Sequence, residues 1–207
     1  MEATNRSERG NVMLFVIMCL PLLIGSMALG VDVARGNSVK VIQKQELDDA
    51  QQAVLVRQEQ IKYSPDPAQL TCELVRASLE QDGFVGVAQL SYLERYHKRP
   101  PGSAQDDERH VVVELALAQG LGSSLGMWTG YPVSDSAVWT MLPYASYRVF
   151  LPPQLADADG ATFGRRYVLE CTRDGGSVRA TVTGQAALDL NDLSAGARKA
   201  LEGITLR

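Results

Sequence analysis

Apolar positions follow three different rhythms along this chain. From Asn11 to Val31 they are nearly continuous: 16 of 21 residues are apolar and none is charged. A helix of that length rises about 30 Å, the thickness of a bilayer's hydrocarbon core. Arg6, Glu8 and Arg9 precede the run, and Asp32 and Arg35 follow it. No polar face is left, so the pattern predicts a transmembrane helix rather than an amphipathic surface helix. Pro21 removes one backbone donor near its middle, which membrane helices tolerate. Two rival readings exist. A buried core helix would need only about 10–14 such residues. A secretory signal cut after Gly30 would use the small residues of Ala28-Leu29-Gly30. Against the signal, the run exceeds the roughly 7–15 residues of an h-region, and the helical pattern continues past it.

The second rhythm is helical. Leu47, Ala50, Val54 and Ile61 recur at helical steps, while Lys44, Asp48, Gln51, Gln52, Gln58 and Glu59 supply polar faces. No proline interrupts before Ser64-Pro65-Asp66-Pro67, so one continuous helix is expected over residues 11–62. Gly36-Asn37 is its weakest point, because both residues have poor helix propensity, and a kink or local melting is expected there. Pro67 to Gln81 predicts another amphipathic helix, with Asp66 as its N-cap and Gly83 as its stop.

The third rhythm is that of strands. Short β-branched runs bounded by turn residues cover Phe84–Leu90, His110–Leu117, Tyr147–Leu151, Tyr167–Cys171, Val178–Thr183 and Ala186–Leu190. Asp174-Gly175-Gly176 reads as a hairpin turn. Asn191 or Asp192 is expected to cap a short terminal helix through Leu201. Residues 99–108 read as a solvated loop. Residues 120–143 read as a longer, glycine-rich loop carrying Trp128, Tyr131 and Trp139. Those aromatics either form a recognition surface or fold back over one face of the sheet. The expected fold is α+β: a long N-terminal transmembrane and amphipathic helix, then an antiparallel-sheet domain with one or two further helices. The expected division is a cytoplasmic segment (1–10), a span (11–31), an amphipathic continuation (32–63) and an exported domain (64–207).

Composition narrows the function. Twenty basic against 24 acidic residues leave a net charge of −4, so no basic surplus exists for nucleic acid and none is expected as a partner. Cys19 lies in the span, and Cys72 and Cys171 are the only cysteines beyond it. An even count in an exported domain points to one disulfide, closing a loop of about 100 residues and worth about 4–5 kcal/mol. Two unrelated buried thiols are the alternative. Charge counts flanking the span nearly tie; the cysteine pair favours an N-terminus inside and a carboxyl domain outside, in the cytoplasmic (inner) membrane. The two histidines form no zinc-protease motif, and neither a nucleophile elbow, a phosphate loop nor a dinucleotide fingerprint occurs. Asp106, Asp107, Glu108 and His110 read as a solvated cluster rather than a metal site. No enzyme activity and no cofactor are expected.

The stretch from Arg9 to Val56 resembles the N-terminal segment of TadE/TadG-like proteins of the Flp (Tad, type IVc) pilus system. Arg9-Gly10 before the apolar run, Pro21 within it, and Val31-Asp32-Val33-Ala34-Arg35 at its end carry the resemblance. In that family an Asp closes the span, an Arg follows three residues later, and a second Asp follows the first by sixteen. Those positions are Asp32, Arg35 and Asp48. The resemblance implies that they set the membrane boundary and pack against pilus subunits; an ordinary interfacial charge pair is the plainer reading of Asp32 and Arg35. It also implies a processing site between Gly10 and Asn11. The prepilin glutamate five residues beyond the glycine is replaced by Phe15, and Gln51-Gln52-Ala53-Val54 stands where an alanine-rich tract is usual. The glutamate-free pattern resembles the TadG-like branch and implies an uncleaved anchor. The expected function is a non-enzymatic component of pilus assembly, or a minor pilin-like subunit. The alternative is a secreted or anchored adhesion module using the Trp128–Trp139 loop.

Overall fold

The computed structural model describes residues 4–97, 108–123, 131–141, 144–145 and 162–204, with side chains over 13–96, 109–123, 131–141 and 162–201. The chain divides into two compact units: Met1–Val41 with Gly120–Val133, and Ile42–Gln119 with Ser134–Arg207.

In the first unit the main element is the long helix α1 (Thr4–Val56), up to Val41. It runs through Pro21. Every large apolar side chain from Met13 to Val33 is at least half exposed, on all sides of the helix. This is a helix long and apolar enough to cross a membrane. Of the kink or local melting expected at Gly36-Asn37, melting does not occur; the helix continues to Val56. It stops there, at Arg57, and a short helix α2 (Gln58–Lys62) follows.

The second unit is built on an antiparallel sheet. The strands of the sheet, of which residues 120–121 and 131–133 belong to the first unit, are β1 (Gly86–His97), β2 (Glu108–Leu121), β3 (Tyr131–Thr140), β4 (Tyr144–Ala145), β5 (Thr162–Asp174) and β6 (Ser177–Ala187). The order is β3-β2-β1-β5-β6, with β4 pairing β2. Strands β1, β2, β5 and β6 all run longer than their sequence signals, and β3 replaces much of the expected 120–143 loop. Alternation along β3 buries Val133 and Trp139 while leaving Pro132 and Ser136 exposed, a pattern obscured in sequence by the flanking glycines. The expected strand Tyr147–Leu151 lies outside the described residues. Ala186–Leu190 is not a strand of its own: its first residues end β6, and Leu188 is buried beyond it. Gly175 takes φ 63° at the first central position of the β5–β6 turn, which favours a residue without Cβ.

Helix α3 (Pro67–Asp82) begins and ends as its sequence dictates. Asp66 Oδ1 accepts the backbone N–H of Gln69 at 3.1 Å, and Gly83 closes the helix at φ 78°. The other oxygen of Asp66 pairs with Arg165, so the cap also ties α3 to β5. The stop of α1 at Val56 and this capped start place two helical segments over one face of the sheet. There Leu47, Ala50, Val54, Leu74, Val75 and Leu79 pack with Leu90, Tyr92, Val113 and Leu115 in the main core. The register sets these pairs: Leu90 faces Leu115 and Tyr92 faces Val113. On the opposite face, Leu93 and its partner Val112 pack with Ala197 and Leu201 of helix α4 (Ala195–Ile204). The cap of α4 is Ser194, whose Oγ accepts from Ala197 N at 3.2 Å, rather than Asn191 or Asp192; those two residues lie in a preceding 3-10 turn.

Among the described residues, each outermost strand of the sheet carries one feature unfavourable to strand addition. Pro132 removes a donor from β3. On β6, Glu80 of α3 accepts the backbone N–H of Ala180 at 2.9 Å.

Candidate functional site

The residues singled out by sequence separate into one cleft and several scattered positions. The cleft lies within the first unit. Val31 is the last residue of the uncharged run, and one residue further Asp32 is buried, only 5% exposed. Tyr131 donates its hydroxyl proton to the backbone carbonyl of Asp32 at 2.8 Å. That carbonyl also serves residue 36 in the helical ladder, and a carbonyl oxygen has lone pairs for both. Residue 36 is glycine for a visible reason: a Cβ there would lie 2.7 Å from the Tyr131 hydroxyl. The glycine read as a weak point of the helix is the place where an aromatic ring packs onto it. Asp32, Arg35, Ser38 and Tyr131 line a cleft of about 680 Å³, with Val31, Val39 and Leu121 among its apolar walls. Arg35 is exposed, and Ser38 returns its hydroxyl proton to Ala34 O at 3.0 Å.

Asp48, the third charge of the resemblance, is exposed on the part of α1 that belongs to the second unit. Gly10 and Asn11 lie within the helical backbone of α1. Trp128 lies outside the described residues. Trp139 is buried in the main core at 4% exposure, so it is not available as a recognition side chain. The disulfide expected between Cys72 and Cys171 is not formed. Both cysteines are free, buried thiols of the same core cluster. Burial, and for Cys171 also Glu80 and Glu46, pushes each thiol up to about 11. Even cysteine count was the only sequence signal for the bridge, and it does not distinguish a bridge from two core thiols.

Two polar constellations were not anticipated. Arg109 pairs with Glu94 on the helix-covered side of the sheet, both essentially buried, and Tyr92 donates to the same Glu94 oxygen. The signal was present in strand parity: Arg109 precedes Val111, Val113 and Leu115 at period two, and Glu94 follows Leu90 and Tyr92. The other is Glu46, 7% exposed at the seam of α1 with α3. Burial, then the carboxylate of Asp82, pushes its carboxyl up to about 7. Asp82 is itself raised by burial and by Asp49. Among the described residues no group of three His, Cys, Asp or Glu side chains is placed to hold a metal ion.

No family profile, no curated protein and no solved structure matches the chain. The functional reading therefore rests on the helix, the cleft and the resemblance of residues 9–56.

Proposed function

We propose that this protein is a membrane-anchored, non-enzymatic component of an Flp/Tad-type pilus machinery, either in its assembly complex or as a minor pilin-like subunit. The observation that carries the reading is helix α1. Its apolar half is uncovered on every side, and its second half contributes Leu47, Ala50 and Val54 to the core of a folded domain. A long helix that is greasy at one end and docked on a sheet at the other suits lateral packing among pilin-type helices. In this reading residues 1–10 are cytoplasmic, α1 spans the inner membrane once, and the sheet domain lies outside. Asp32 and Arg35 mark the boundary. The burial of Trp139 removes one of the three aromatics on which the adhesion alternative relied.

Co-purification of the tagged chain from its native membranes tests the proposal. Pilin-type subunits should accompany the chain, and Asp32→Ala should reduce their yield. Recovery without any pilus component would overturn the reading. The mass of the mature N-terminus is a second check: an uncleaved chain fits the anchor, whereas a start at Val31 contradicts it.

A further inference from the structure

We propose that the cavity between α3 and the β5–β6 pair binds a small monocarboxylic acid, its carboxylate held by Tyr167 and Arg76. The site lies wholly within the second unit and does not depend on the pilus reading.

The cavity measures about 260 Å³, just below the roughly 300–1,000 Å³ of sites for drug-sized ligands, so its occupant is small. One face of α3 supplies Gln69, Cys72, Glu73 and Arg76, at helical steps of three and four residues. The sheet supplies Tyr167 of β5, its facing partner Gln185 of β6, and Val182. The β5–β6 register slips between Val168 and Leu169, an irregularity of the kind that re-aims side chains beside sites.

A donor without an acceptor marks the floor. Tyr167 is only 3% exposed, and no described group accepts its hydroxyl proton. Arg165 lies beside that oxygen but has only donors to offer, and it is paired with Asp66. Burial raises the hydroxyl above the ordinary tyrosine range, against the opposing pull of Arg165, so it stays protonated near neutral pH. Buried polar groups are nearly always satisfied, so a ligand atom that accepts a hydrogen bond completes this floor. The Cys72 thiol on the same cavity is a weak donor rather than an anion, since burial pushes it up to about 11.

The mouth adds a cation. Arg76 is exposed and makes no hydrogen bond or ion pair with a described residue. Glu73, one turn before it, instead accepts from Gln69 Nε2 at 3.2 Å. A phenol and a free guanidinium fork on one small cavity suit an acceptor with two oxygens, which is a carboxylate. Glu73 keeps its charge and opposes a second one, so a dicarboxylate or a doubly charged phosphate fits less well. Val182 and the ring of Tyr167 give a short aliphatic stem an apolar wall.

Isothermal titration calorimetry of the full chain in an uncharged detergent tests the site, with valerate, valeramide and glutarate as probes. One valerate should bind per chain, on the order of tenfold tighter than the amide or the dicarboxylate. Tyr167→Phe keeps the ring and removes the donor, and Arg76→Gln keeps an exposed polar side chain, so both variants should fold. Each should weaken valerate on the order of tenfold, with the circular dichroism spectrum unchanged. Glu73→Gln should bring glutarate close to valerate. Absence of saturable valerate binding, equal binding of valeramide, or an affinity unchanged in either Tyr167→Phe or Arg76→Gln overturns the proposal. Co-purification with pilus subunits reads a different property, so the two proposals fail separately.

Discussion

The hydroxyl of Tyr131 and the backbone carbonyl of Asp32 are joined by a 2.8 Å hydrogen bond across 99 residues of sequence. Asp32 is the first charged residue after the apolar run, so the bond fastens the first residues of β3 to the helix where that run ends. The helix accommodates the tyrosine by having no side chain at position 36, one turn further on.

That geometry makes an unusual prediction for Gly36→Ala. In a helix interior the exchange normally gains about 1 kcal/mol. Here the new methyl would meet the Tyr131 hydroxyl at 2.7 Å and displace a hydrogen bond worth roughly 0.5–1.5 kcal/mol. The single variant should therefore be neutral or less stable than the parent. In a Tyr131→Phe background the nearest ring carbon is at 3.6 Å, an ordinary contact. There the same exchange should stabilise by about 0.5–1 kcal/mol. Thermal melts of the four proteins in detergent form a double-mutant cycle. Additive effects would mean that the two residues do not touch.

Some of this was legible in the residues. Asp66-Pro67 and Gly83 bracket α3 in the sequence as they do in the structure, because cap chemistry is local. The apolar run was equally plain, since its length and lack of charge need no tertiary context. The role of Gly36 was hidden: its propensity is read locally, but its partner Tyr131 is far away in sequence. Strand β3 was hidden for a related reason. Glycines at 120, 122, 126 and 130 suggested a loop, and alternation from Tyr131 to Trp139 becomes visible only once β2 is beside it. In the cleft, Asp32 and Arg35 could be paired by their spacing, whereas Leu121 and Tyr131 could not.

Glu94 and Arg109 predict a second asymmetry. Each is about 1% exposed, and the two charges are paired with one another. Removing one partner, as in Glu94→Leu, should cost about 3–5 kcal/mol by taking from a buried guanidinium the carboxylate that pairs with it. Replacing both with apolar residues of similar size should cost far less, or nothing. Urea midpoints of the two single variants and the double variant decide this. A double variant as unstable as the sum of the singles would show that the pair does not interact.

The thiols offer a direct chemical check. Burial and pKa values near 11 leave almost no thiolate at Cys72 and Cys171 around neutral pH. Native protein treated with a thiol-alkylating reagent at about pH 8 should therefore keep both unmodified. Unfolding in denaturant without reductant should expose both to alkylation. An intact mass two hydrogens lighter, with no alkylation at either residue after unfolding, would establish a bridge instead.

Glu46 predicts that stability declines toward neutral pH rather than improving. Its carboxyl is raised from 4.5 to about 7 by burial and by Asp82. Between those values the folded state holds a proton that the unfolded chain has released. Stability is therefore highest below about pH 4.5, as far as this group is concerned. It falls as pH rises and levels off above about pH 7, with a total loss on the order of 3 kcal/mol. Asp82, raised by burial and by Asp49, bends the curve the same way. Glu46→Gln keeps the shape and removes the charge, so it should flatten the slope. The variant should match the parent near about pH 4 and exceed it by about 2–3 kcal/mol near about pH 8. Urea midpoints of parent and variant across that range measure the difference. Parallel curves would mean that Glu46 is ionised in the folded protein, and that the seam between α1 and α3 tolerates its charge.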